Sequence, residues 1–190
     1  VLTLLYGGLV SQYIITTGLF IFFLGVGALF YDYRLKISPK FKLYKVEFLL
    51  SFCGFLCVLF PFFIDNALSG LPFISKTISW FAISFIAFLS GIELPALMDL
   101  SKDKIETLGL DYLGMCLAGI IFPIIALPYF GLLETSLLIG FTNFILAHYL
   151  YYREKKEIKS KIWIMYTIPI LMFYNISELN LFLEAAFLGN

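Results

Sequence analysis

Residues 9–30 read LVSQYIITTGLFIFFLGVGALF, 22 positions without a single Asp, Glu, Lys or Arg. The hydrocarbon core of a bilayer is about 30 Å thick, and an α-helix rising about 1.5 Å per residue crosses it in roughly 20 apolar residues. A helix also satisfies its own backbone polar groups in lipid, where water cannot. Leu9–Phe30 therefore reads as a membrane-spanning helix. The same ruler, moved outward, finds further spans at about 44–64, 77–98, 108–130 and 132–152, and a short one at about 162–176. Ahead of the first span, Val1–Tyr6 reads as the tail of an earlier helix ended by Gly7 and Gly8. After the last, residues 177–190 carry Leu179, Phe182, Leu183, Ala186 and Phe187 at helical spacing, with Glu178 and Glu184 between them. That pattern fits an amphipathic tail lying in the interface, or an extension of the short span. The expected fold class is all-α: a polytopic transmembrane helical bundle, with residues 1–190 forming a single integral-membrane domain.

Composition points the same way. Hydrophobic residues make up 61% of the chain and charged residues only 14%, far from the mix of an ordinary soluble domain. Lys plus Arg total 13 and Asp plus Glu total 13, so net charge calls for no nucleic-acid partner. The placement of the basic residues is more informative. Twelve fall in or beside three connections, 31–45, 99–107 and 153–161, and only Lys76 falls elsewhere. Cytoplasmic loops carry the excess of Lys and Arg, so these three connections are expected in the cytoplasm, with the helices in a bacterial inner membrane. Cys53, Cys57 and Cys116 all lie in apolar runs, where Cys packs as a small hydrophobe. The chain starts at Val1 with no basic region ahead of its first apolar run, which does not read as a signal peptide and suggests a missing start.

Inside lipid, helices associate through close packing and interhelical hydrogen bonds. Gly18, Gly25 and Gly27 stripe the first span, and Gly114 and Ala118 the fourth; these are the expected packing positions. Acidic groups near the membrane are costly and so carry more information. Glu47 opens the second span, where it can snorkel to the interface and pair with Lys45 or Lys42. Asp111 opens the fourth, where helix capping competes with a functional role. Glu93 lies deeper, two residues before Pro95. Glu93 and Asp111 flank one short connection, which sets their carboxylates at similar depth. A polyamine, a metal ion or a partner arginine each suits such a pair. Asn143 reads as an interhelical hydrogen-bond partner.

The order of these features resembles the membrane region of membrane-bound spermidine synthase-like proteins, the polyamine aminopropyltransferases. The matching stretches are Ser11-Gln12-Tyr13, Gly18-Leu19-Phe20 and Gly25-Val26-Gly27, then Glu47, then Gly91-Ile92-Glu93-Leu94-Pro95. Leu110-Asp111-Tyr112-Leu113-Gly114, Phe122-Pro123, Leu127-Pro128 and Gly140 to Asn143 follow. The resemblance implies about seven helices, the first largely missing here, ahead of a cytosol-type aminopropyltransferase domain with a Rossmann-like core. It also implies that Gln12, Glu47, Glu93, Asp111 and Asn143 are the region's characteristic polar positions.

The sequence shows no nucleophile triad, phosphate-binding glycine loop or zinc motif. The expectation is therefore a non-catalytic membrane domain of a spermidine synthase-like protein, acting as anchor, scaffold or polyamine-handling module. It has no catalytic residue, metal ligand or cofactor of its own. Its expected partners are the lipid bilayer, a polyamine, and either other membrane subunits or a fused aminopropyltransferase domain. Two other readings stay open: a structural subunit of a larger membrane assembly, and a small transporter using Glu93 and Asp111.

Overall fold

In the computed structural model, helix α1 (Val10–Phe30) runs on into a π-helical turn at Tyr31–Leu35. The structure describes residues 10–35, 43–68 and 70–155, with a few isolated positions beyond them. The expected short span at 162–176 and most of the tail at 177–190 lie outside the described residues, as does Val1–Leu9. The remaining helices are α2 (Leu43–Leu56), α3 (Leu59–Ala67), α4 (Pro72–Leu100), α5 (Lys104–Ile121) and α6 (Leu127–Lys155). A second π-helical turn, Phe122–Ala126, joins α5 to α6. Every element is helical among the described residues.

Three helical stretches, Val10–Arg34, Pro72–Leu100 and Lys104–Glu154, are long and apolar enough to cross a membrane. The pair α2 and α3 makes a fourth if taken as one span, bent by 56° at its break. The sequence reading takes 44–64 as one span with a proline in it, and Pro61 supplies the reason for the bend. A proline has no N–H to donate and its ring crowds the carbonyl four residues back, which here belongs to Cys57. The helix opens at Cys57 and Val58, where the Cys57 N–H turns to the Gly54 carbonyl at 3.5 Å.

Lys104–Glu154 is 51 residues long, or ~76 Å at the helical rise, more than twice a bilayer core. It is broken at Gly131, whose φ of 80° and ψ of 180° lie outside the helical region. Only glycine adopts that conformation without strain. The Thr135 hydroxyl donates to the Ala126 carbonyl at 3.2 Å and also to Gly131 O, which clips the two sides of the break together.

The helix ends gather in a definite order. The Tyr31 hydroxyl donates to Asp99 Oδ2 at 3.3 Å, and Lys104 Nζ pairs with Asp99 Oδ1 at 3.3 Å. Tyr44 meets Tyr151 edge-to-face at 5.1 Å. A buried apolar cluster of Tyr31, Leu43, Val46, Leu50, Leu89, Ile92 and Ala96, with Leu150 against it, ties these ends into one. The helix ends that flank these connections thus meet at a single end of the bundle. At the other end, the Ser75 hydroxyl donates to Asp65 Oδ1 at 3.1 Å across the α3–α4 connection.

Two seams hold the bundle. Along α1 and α4 the backbones touch at Gly27 and Gly91: a Cβ on Gly27 would overlap the Phe88 carbonyl, and one on Gly91 the Leu24 carbonyl. Along α2 and α6, Gly54 faces Gly140, and the buried Ser51 hydroxyl donates to the Gly140 carbonyl at 2.7 Å. Phe55, Val58, Leu59, Leu133, Leu137 and Phe144 form the second apolar cluster beside that seam. Helix α5 starts with Asp103, whose carboxylate caps the Ile105 and Glu106 N–H groups at 2.9 and 3.1 Å. Beyond its first turns it stands apart, with no buried residue.

Candidate functional site

Glu47 lies one turn into α2, at the end of the bundle where Tyr31, Leu43 and Leu150 cluster. Helix α2 turns that residue inward, beside Val46, Leu50 and Ser51, all buried. The expected snorkelling to the interface is not what the structure has. Glu47 is 0% exposed, and neither carboxylate oxygen has a hydrogen-bond donor, while Lys45, two positions earlier, faces outward. What faces Glu47 instead is Glu93 of α4, whose carboxyl group lies within hydrogen-bonding reach. A carboxylate only accepts, so two ionised groups in this position leave each other without a donor. A shared proton or an inserted cation resolves the conflict.

Asp111 of α5 stands close enough to act electrostatically on Glu93. It is half-buried and lies two turns beyond the helix start at Lys104, so it is not the capping acid. Asp103 takes that role. Three of the five polar positions expected from the sequence, Glu47, Glu93 and Asp111, are therefore assembled from three different helices. Gln12 is not among them. It is buried near the start of α1, at the far end of the bundle, with its amide oxygen unpartnered. Asn143 is half-buried on α6 beside Phe144, and no described contact joins it to the acids.

The packing positions divide in the same way. Gly27 lies in the α1–α4 seam, whereas Gly18, Gly25 and Gly114 have nothing within 4 Å of where a Cβ would stand, and Ala118 is exposed. The sequence reading did not single out Gly54 or Ser51, and named Gly140 only within a stretch of the resemblance and not as a packing position. Their signal was present as small residues facing each other on α2 and α6, but pairing them requires knowing which helices are neighbours. Among the described residues no group of His, Cys, Asp and Glu has the arrangement to hold a metal ion.

No family model matches the chain, and no solved structure matches it significantly. Curated proteins do. A polyamine aminopropyltransferase of Oceanobacillus iheyensis is 30% identical over 162 residues, covering 79% of this chain and 30% of the relative. One of Leptospira interrogans is 29% identical over 149 residues, 73% of this chain and 28% of the relative. Polyamine aminopropyltransferase 2 of Ralstonia nicotianae is 24% identical over 162 residues, 81% of this chain and 31% of the relative. These findings overturn the expectation of a non-catalytic domain serving as anchor, scaffold or polyamine-handling module, because the matching relatives are named for an enzymatic activity. They lend nothing to the structural-subunit or transporter readings. The chain spans less than a third of the length of these relatives, and over most of its own length it is similar to polyamine aminopropyltransferases, enzymes of the spermidine synthase-like kind.

Proposed function

We propose that this chain works within a polyamine aminopropyltransferase, which moves an aminopropyl group from decarboxylated S-adenosylmethionine to an amine, and that Glu47, Glu93 and Asp111 take the ammonium end of the polyamine. The observation that carries this reading is the buried, donor-less Glu47 set against Glu93, in a chain similar to enzymes named for polyamines. A polyamine offers ammonium donors separated by methylenes. An ammonium group supplies three N–H donors and a positive charge, which is what two facing carboxylates lack. The neighbouring Val46, Leu50 and Ile92 give the methylenes an apolar wall. In this reading the helices sit in a bacterial inner membrane, and the end carrying the basic connections faces the cytoplasm.

The test is a steady-state assay of aminopropyl transfer to putrescine by the complete gene product in its membrane. The expected result is transfer by the wild type and a raised KM for the amine, with kcat little changed, in the Glu47→Gln, Glu93→Gln double variant. Absence of transfer by the wild type rejects the enzymatic reading. Transfer with an unaltered KM in the double variant rejects the acid group as the amine site.

A further inference from the structure

A groove whose lining does not include the acids lies in the other half of the bundle. Helices α1, α2–α3 and α4 enclose a groove of about 550 Å³ toward the opposite half of the bundle, within the size range of about 300–1,000 Å³ typical of small-molecule sites. Its walls change character along their length. Gln12, Tyr13, Thr16 and Ser79 stand toward the start of α1, whereas Leu56 and Ile86 lie toward the middle of the bundle. None of the lining residues is charged. The rim includes Tyr13, Phe52, Phe81 and Phe85, which are 69%, 44%, 74% and 40% exposed, so the groove opens sideways, where lipid would stand.

We propose that this groove holds a single-chain neutral lipid with a hydroxyl head. The uncharged lining leaves a phosphate or carboxylate head without a partner, so the head is neutral. The long apolar wall calls for a hydrocarbon chain. Gln12 lines the groove, and its amide oxygen, buried and without a donor, calls for a head that donates. The proposal is independent of the acid site, since neither Glu47 nor Glu93 lines the groove.

The chain carries its own reporters. Cys53 and Cys57 line the groove, while Cys116 sits exposed on α5 and serves as the internal reference. The experiment follows N-ethylmaleimide alkylation of each cysteine by mass spectrometry, in nanodiscs, with hexadecanol or hexadecyl methyl ether added. The ether has the same chain but no donor. The expected result is that the alcohol slows alkylation of Cys53 and Cys57 relative to Cys116, and does so about fivefold more effectively than the ether, the factor that one net hydrogen bond of ~1 kcal/mol provides. Gln12→Leu should erase the difference between alcohol and ether, and Ala82→Trp, which fills the groove, should erase protection by both. Equal protection by the two probes in the wild type, no protection, slowing of Cys116 to the same degree, or an undiminished preference in Gln12→Leu each overturns the proposal. The wild-type comparison stands whether or not the variants fold.

Discussion

At the scale of single residues, the most consequential feature is a carboxylate with nothing to accept from. Burying a charge is expensive unless it is paired and hydrogen-bonded, and Glu47 is fully enclosed with Glu93 as its neighbour. Glu93→Gln replaces one of two facing acids with a side chain that can donate to the other. It is expected to raise stability by about 1 kcal/mol, the net worth of one hydrogen bond, read as an increase in melting temperature in detergent. A loss of stability in that variant counts against the facing geometry. The same variant alone weakens amine binding, because one negative charge is gone. Spermidine should therefore raise the melting temperature of the wild type by more than it raises that of Glu93→Gln. An equal shift in both proteins places the amine elsewhere.

At the scale of elements, small residues matter only where two backbones meet. Gly27→Val and Gly91→Val each force a side chain into a carbonyl of the neighbouring helix, and overpacking of this kind costs about 1–3 kcal/mol. Gly18→Val and Gly25→Val point into open space and are expected to change the melting temperature little. If all four behave alike, α1 and α4 are not packed through Gly27 and Gly91. The bend between α2 and α3 belongs to this scale as well. Pro61→Ala restores a donor to the helix, and the expected outcome is a straighter α2–α3 pair, measured as a longer spin-label distance between Tyr44 and Phe63 positions. An unchanged distance assigns the bend to packing against α6 instead of to the proline.

At the scale of the whole molecule, the helix ends that flank the basic connections converge on one end of the bundle, and the acids lie just inside that end. With that end in the cytoplasm, a cysteine placed at Lys102 should resist an impermeant maleimide added outside intact cells, while one at Gly70 should react; the reverse pattern inverts the topology. Much of this was legible from the chain alone. The uncharged run at 9–30, the division between spans at 108–130 and 132–152, and the clustering of Lys and Arg are local patterns, decided by the length of a helix against a bilayer and the cost of charge in lipid. Those terms depend on neighbours along the sequence, and so the all-helical class could be read directly. Which faces meet could not. Glu47 looked like an interfacial acid because Lys45 is two residues away, yet α2 rotates Lys45 outward and Glu47 toward Glu93. Asp111 looked like a cap because its span seemed to begin nearby, until the helix start at Lys104 moved it two turns inward. The pairing of Gly54 with Gly140, of Glu47 with Glu93, and the groove between α1, α2–α3 and α4 depend on helix neighbours far apart in sequence, and contact across such distances is settled by tertiary packing alone.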